Sequence, residues 1–446
     1  MRTSAIARLV VMGVLLVALL LPLSMVRSVV SERASRRGSV VDEVSATWGG
    51  TQTVGGPVLV VPYRYAGSEA DGRPRSYTAQ AFFLPEVLDI KGTMEPQRLE
   101  RGLFEVVVYK AHLTITGRFA RPDFTAIRPG PPEPLWEDAT LSIGVADPRG
   151  IAKRMVLRWN GGDVPVVPGV ENAGLFASGL HANVGKLAAL ADTGSIAFAL
   201  DLDVNGSREL KVLPAGSETT VQLTSTWPHP SFVGAPLPAF REATPAGFSG
   251  RWNVPYGGRG YPPRWTSAGM DAAQFKSRAD AFAVGVSLLQ PVDIYQQAER
   301  AVKYAALFIV MTFVVFFLWE IVRSRLLHPI QYLFVGFAMC VFYLLLVSIS
   351  EHIGFDRAYA AAAGATTLLI AGYSVYVLGG MMEGGLMGAV LVALYGFLYL
   401  LLRLEDYALL AGSVGLFAML ALLMYATRRV NWYELRLGGG AAHERA

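Results

Sequence analysis

Six polar residues at the margins of two apolar runs carry most of the chemistry available to the hydrophobic part of this sequence. Glu320, His328, Gln331 and Tyr332 lie between or just inside the runs 305–319 and 329–349, and Glu351 and His352 follow the second. An adjacent carboxylate and imidazole at a membrane edge could relay protons or meet a lipid headgroup. The same two residues could equally cap their span and hydrogen-bond to the segment 403–406 or to the domain outside the membrane. Glu320 and His328 can likewise be read as plain partners of Arg323 and Arg325, and Gln331-Tyr332 as an anchor at headgroup depth. His328 and His352 stand 24 residues apart, about 36 Å along a continuous helix, so they cannot share one metal within a subunit. Neither group has ligand spacing such as His-Glu-x-x-His, and no metal or cofactor is expected.

The elements that position these residues are membrane spans. Each of the two runs is long enough to cross a hydrocarbon core of about 30 Å as a helix. The short basic hinge between them, with Arg323, Arg325 and His328, predicts a helical hairpin turned on the cytoplasmic side. Further spans are predicted at 358–378, 384–402 and 407–426, and an uncharged stretch, 9–26, follows Arg2 and Arg8. That stretch has the flanks of a signal peptide, but it is longer than a usual signal core and lacks a small-x-small site, so an uncleaved anchor is expected. Six spans put both termini on one side. Eight arginines in the short segments of that side (Arg2, Arg8, Arg323, Arg325, Arg428, Arg429, Arg436, Arg445) face two in the opposite loops, Arg357 and Arg403. The bias makes that side cytoplasmic and overrules the cluster Arg27, Arg33, Arg36, Arg37 after the first span. Gly380, Gly384 and Gly388 offer a small-residue face for close helix packing. Phe313, Phe316 and Phe317 read as packing or lipid-facing side chains rather than a cofactor site.

Between the anchor and the hairpin, 28–290 contains no spanning run and changes character. Segments such as 57–63, 104–119, 195–206, 219–225 and 281–289 are rich in β-branched residues. Leu113-Thr114-Ile115-Thr116 and Ala199 to Val204 alternate with period two, the mark of half-buried strands. Proline and glycine tracts at 128–134 and 257–263 punctuate them. Many short strands between such turns predict a sandwich-like β domain, interrupted by a helix over about 173–192. From Pro291 the pattern turns helical, with Asp293 near the helix start, so 291–304 is expected to lead stiffly into the next span and couple the outer domain to the bundle.

Composition agrees. Mean hydropathy is +0.38 with 17% charged residues, too apolar for an ordinary soluble enzyme. The sequence pI is near 9.0, but the basic residues flank apolar runs or stand singly, which speaks for membrane topology and against nucleic acid. The single cysteine, Cys340, lies in a predicted span, so the outer domain must rely on its core without an internal disulfide. That domain carries His112, His181 and His229, none in a nucleophile motif, and no Gly-x-Ser-x-Gly or phosphate loop. Asp123, Glu137 and Asp138 could pair in a hydrolase, yet exposed carboxylates are ordinary on any such surface. Trp227 to Phe232 reads as an aromatic-covered turn or a binding ridge. The span interiors lack ionisable groups away from their ends, which counts against a proton- or ion-coupled carrier.

The stretches 328–355 and 303–313, with GPVLVVPY (56–63), DPRGI (147–151), WPHPSFVGAPLP (227–238) and 285–304, make the chain resemble the CreD family of inner-membrane, cell-envelope integrity proteins. The resemblance implies an N-terminal anchor, a large periplasmic domain, a C-terminal helical bundle and a role in maintaining the envelope. In the family this role is tied to colicin tolerance and to the response to cell-wall-targeting antibiotics under a two-component regulator. It supplies no molecular activity. On the family pattern Glu320, His328, Gln331, Tyr332, Glu351 and His352 are the matching polar positions, and 358–446 matches less specifically. The expected organisation is an anchor at 1–27, a periplasmic β-rich domain at 28–290, the lead-in at 291–304, a five-helix membrane bundle at 305–427 and a cytoplasmic tail at 428–446. The expected function is a non-enzymatic scaffold or sensor whose partners are the lipid bilayer and periplasmic or envelope material. The alternatives are a transporter or flippase for a lipid-linked or amphipathic compound, and an envelope hydrolase.

Overall fold

The computed structural model describes residues 5–68, 74–125, 127–128, 132–151, 155–170, 175–185, 194–258, 260–270, 272–289, 294–323, 326–404 and 407–428. Asp293, Arg325, Glu405, Asp406 and the tail from 429 lie outside them, as does the join at 290–293 on which the stiff connection depends. The chain divides into two compact units: Ser39–Pro291, and Met1–Gly38 together with Val292–Ala446.

The second of these is helical. Helix α1 covers Ala5–Trp48, α3 Ile294–Arg323, α4 Pro329–Ile353, α5 Phe355–Leu378, α6 Met381–Arg403 and α7 Ala408–Thr427, while α2, Ala272–Asp280, belongs to the other unit. Six of these helices are long and apolar enough to cross a membrane. The first is longer than the expected anchor: it runs without a break past residue 27 to Trp48, through Pro22. The helices α3 to α6 pack on one another through a buried seam that includes Phe308, Phe313, Phe342, Leu391 and Leu398. Phe313, Phe316 and Phe317 are all buried in it, which settles them as packing residues. Around Phe342 the rings of Tyr343, Tyr359 and Tyr395 gather at centroid distances of 4.8, 5.6 and 4.6 Å. The Tyr359 hydroxyl donates to the Tyr395 carbonyl at 2.6 Å, tying α5 to α6.

Gly384 shows why a small residue is needed on α6. A Cβ there would stand 3.0 Å from the Ala371 carbonyl oxygen and 2.4 Å from a Val375 methyl of α5, and one at Gly388 would stand 3.2 Å from the Ala371 Cβ. Gly380, the third of the repeat, instead meets the carboxylate of its own Glu383.

The unit Ser39–Pro291 is built on two mixed sheets. In the first, the described strands run in the order Pro230–Gly234, Val284–Leu288, Glu209–Val212, Gln52–Ser68, Thr140–Val145, Gly179–Asn183, Val167–Pro168. The strand Pro74–Phe83 branches from Gln52–Ser68 and carries Arg264–Thr266 on its far side. In the second the order is Phe240–Thr244, Gly247–Pro255, Glu218–Ser225, Val87–Arg101, Phe104–Ala120, Ser195–Ser207, Val156–Trp159, Gly162–Pro165. One continuous core takes side chains from both sheets, among them Val60, Leu141, Leu113, Leu202 and Trp252. The period-two reading holds residue by residue. Ile196, Phe198, Leu200, Leu202 and Val204 are buried while Asp201 and Asp203 face away, where Asp203 accepts from or pairs with His112 at 2.6 Å.

Two features depart from the sequence reading. The strands are not all short: Gln52–Ser68 and Phe104–Ala120 have 17 residues each and Val87–Arg101 has 15. The helix expected over about 173–192 is replaced at Gly179–Asn183 by a strand paired with Thr140–Val145, and 186–193 lies outside the described residues. Leu180 and Ala182 are buried between neighbours, so sheet pairing outweighs the helix preference of the alanines and leucines around them.

The irregular end of this unit is held by Gln52, which is fully buried. Its amide donates to the carbonyls of Gly49, Asp147 and Asn205 at 2.5, 3.0 and 3.0 Å, and its oxygen accepts from the Asp147 N–H at 3.2 Å. Three segments distant in sequence, around 49–52, 147 and 205, are joined through this one side chain.

Candidate functional site

Glu320 is the centre of the first polar cluster. It sits one turn from the end of α3, is only 2% exposed, and carries the one carboxylate among the described residues whose residue is wholly buried. Each oxygen is occupied. One accepts from the Arg8 guanidinium of α1 and from the Leu327 N–H at 3.0 Å, and the other from the Tyr332 hydroxyl at 2.9 Å. Tyr332 is buried, and its ring packs edge-on against Phe313 and Phe316 at 5.4 and 6.1 Å. A charge this deep is tolerable only with such a full set of donors. A cavity of about 140 Å³ lies beside it, lined by Arg8, Glu320, Leu327, Pro329, Tyr332 and apolar side chains of α1.

The neighbouring predicted residues serve the turn. The His328 ring Nδ1 accepts from the Ile330 N–H at 3.3 Å and the Gln331 side chain accepts from the His328 N–H at 2.9 Å. Together they form a reciprocal cap on the first turn of α4, with Pro329 at its first position, where a missing N–H costs nothing. Arg323 does not pair with Glu320 but with Glu383 of α6, at 3.0 Å. The reason is helix geometry: residues three apart on α3 can meet, but Glu320 points into the bundle and Arg323 lies on its exposed side. Tyr332 is correspondingly a buried donor to Glu320 rather than an exposed side chain.

At the other end of α4, Glu351 and His352 separate. Glu351 turns inward, its side chain 7% exposed, accepts from the Tyr295 hydroxyl of α3 at 2.9 Å and lies 3.8 Å from Arg33 of α1. His352 is exposed and bonds its own helix at the Ser348 carbonyl, 3.1 Å away. Successive residues of a helix diverge by about 100°, so an adjacent acid and imidazole do not form a pair. The partners of Glu351 among the described residues thus belong to two other helices. The second acid of that end, Asp356, instead pairs with Arg403 at 2.5 Å and accepts from Tyr399 at 3.1 Å.

The structure therefore places Glu320 with Tyr332, and His328 with Gln331, at one end of α4, and Glu351 about 29–35 Å along the helix at the other. Arg8, Arg33 and Tyr295 were not singled out from sequence as members of these clusters. Arg8 is 312 residues from its partner, and the only trace of either arginine is its place at the end of an apolar run. In both clusters α1 supplies the cation, α3 and α4 the rest.

A family model described as "Inner membrane protein CreD" matches residues 4–433. The chain is also similar to the inner membrane protein CreD of Escherichia coli (strain K12), 33% identical over 424 residues, covering 94% of this chain and 92% of that protein. With six apolar helices, a β-rich unit between the first and the rest, and a match across almost its whole length, this chain belongs to the CreD family of inner membrane proteins.

Proposed function

We propose that the protein maintains the bacterial cell envelope as a non-enzymatic scaffold or sensor, with both termini cytoplasmic and the β-rich unit in the periplasm. The observation that carries this reading is the state of the buried carboxylates. Glu320 has both oxygens engaged by donors from α1, the turn and α4, and Glu351 is held between α3 and α1. Groups fixed in this way tie helices together, whereas a carrier needs ionisable groups free to exchange protons or substrate near the bilayer centre. The orientation rests on the excess of arginine at the ends of the spans that carry Arg8 and Arg323. The β-rich unit, with its own two-sheet core, is the part suited to meeting envelope material.

Two measurements test the reading. Cys340 is buried and is the one cysteine of the chain, so new cysteines placed in a Cys340→Ser background report sidedness cleanly. A cysteine at Ser267 is expected to react with a membrane-impermeant maleimide in intact spheroplasts, and one at Ser277 likewise; protection of both until lysis refutes the orientation. Dye permeability and detergent sensitivity of a deletion strain then test the role, with wild type or Glu351→Ala/His352→Ala supplied at matched membrane levels. Restoration by both proteins supports a scaffold acting through the β-rich unit. Failure of the double variant at normal abundance favours a transporter or flippase gated at Glu351.

A further inference from the structure

The β-rich unit carries a cavity of about 360 Å³ whose described lining includes Arg128, Arg264, Arg278, Gln274, Thr266 and the edge of Trp265, and no carboxylate. Strand pairing and aromatic stacking brace its walls. Arg264 and Thr266 stand on the strand paired with Pro74–Phe83. Between them Trp265 stacks on Phe82 at 5.2 Å and on Phe275 of α2 at 4.7 Å, and Tyr261 closes on the same Phe275 at 5.3 Å. Phe275 thereby fixes α2, and Arg278, three residues on, follows on the adjoining face of the helix.

Each guanidinium is anchored by one nitrogen. Nη1 of Arg278 donates to the Gly260 carbonyl at 2.8 Å, and Nη1 of Arg128 to the carbonyls of Thr125 and Ile127 at 3.1 and 3.2 Å. Nη1 of Arg264 bonds the Asp123 carboxylate at 2.8 Å. A guanidinium has five N–H donors in a planar fork, so each keeps Nη2 and Nε without a protein partner among the described residues. Asp123 is the single described acid against these three cations, and it lies outside the described lining. Surface arginines are ordinarily loose. Three of them pinned by one nitrogen around one cavity have already lost much of the freedom that binding would otherwise remove.

We propose that this cavity binds a small polyanion presenting phosphate groups to the free edges of Arg128, Arg264 and Arg278. Guanidinium matches the oxygens of a phosphate in bidentate fashion, and a 360 Å³ cavity admits a compact molecule rather than a polymer chain. The proposal deepens the reading that the β-rich unit meets envelope material, and rests on that reading only for where the ligand comes from.

The test uses the full chain in nanodiscs of phosphatidylcholine, titrated calorimetrically with inorganic pyrophosphate at about 0.15 M salt, where long-range surface attraction is screened beyond about 8 Å. Saturable binding with one site per chain is expected, weakened roughly tenfold by Arg128→Gln and again by Arg278→Gln, in line with charge-assisted hydrogen bonds. Both residues are exposed, so these variants are expected to keep the wild-type unfolding temperature, and the exposed Arg241→Gln is expected to bind like wild type. A parallel titration in nanodiscs containing phosphatidylglycerol separates the sources: unchanged affinity assigns the site to a soluble phosphate compound, and competition assigns it to a lipid headgroup. No saturable binding, or equal weakening by Arg241→Gln, overturns the proposal. Barrier assays in cells remain a separate readout, so a site that binds while its variants complement fully counts against the envelope role of the cavity and not against the cavity itself.

Discussion

Removing the Glu320 carboxylate is the sharpest perturbation of the helical unit. Glu320→Ala strands the Arg8 guanidinium, the Leu327 N–H and the Tyr332 hydroxyl at once, since all three donate to the one carboxylate. Breaking a buried pair by deleting one partner costs about 3–5 kcal/mol, because the survivor keeps its desolvation without compensation. Arg8 retains 16% side-chain exposure and can partly rehydrate, so the lower end, about 3 kcal/mol, applies. For a unit of this size that corresponds to a fall of roughly 6–12 °C in the unfolding midpoint. Cys340 provides the assay: it is 2% exposed and becomes reactive to a thiol-specific fluorophore only as the bundle opens. Adding Arg8→Met should recover part of the loss, because it removes the orphaned charge and leaves only the Leu327 N–H and the Tyr332 hydroxyl without their acceptor. A Glu320→Ala protein as stable as wild type, or a double variant worse than the single one, refutes the account of Glu320 as a tether between α1, α3 and α4.

Further outcomes follow from other contacts. Gly384→Leu should weaken the bundle in the same thiol assay far more than Gly385→Leu, since a Cβ at Gly384 meets the Ala371 carbonyl and one at Gly385 meets open space. Gln52→Ala should lower the denaturation midpoint of the β-rich unit, followed by tryptophan fluorescence, by the equivalent of about 2–4 kcal/mol, as four hydrogen bonds lose their partner in a fully buried setting. Acid stability gives a third test. Asp123 is held near about 2 by hydrogen bonds from Thr125 and then Arg264, and Asp147 is lowered chiefly by its bond from Arg149. Folded values below unfolded ones mean that their stabilisation is complete above about pH 4 and is lost as pH falls through the folded values. The Asp123→Asn/Asp147→Asn protein should therefore lose less stability than wild type between about pH 4 and 2, and parallel curves would count against both pairings.

The six apolar helices and the β-rich region between the first and the rest were legible from the sequence alone. Hydrocarbon thickness sets span length, so six apolar stretches announce six helices whatever they pack against. The pleat sets the period of two, so the alternation at 199–204 already assigned Leu200, Leu202 and Val204 to the core. The cap on α4 by His328, Pro329 and Gln331 obeys local rules as well, although the sequence reading took His328 for a partner of the hinge arginines and Gln331 for an anchor. The clusters around Glu320 and Glu351 were only half legible. Their acids were visible, but their cations, Arg8 and Arg33, come from a helix some 300 residues earlier, and adjacency in sequence suggested a Glu351–His352 pair that helix geometry divides. The same holds for Arg128, Arg264 and Arg278, unremarkable singly and meaningful only once strand pairing and the Trp265–Phe275 stack bring them to one cavity. Periodicity reports what one residue does relative to its near neighbours, while the partner of a buried charge is selected by three-dimensional packing, which leaves no trace at short sequence separation.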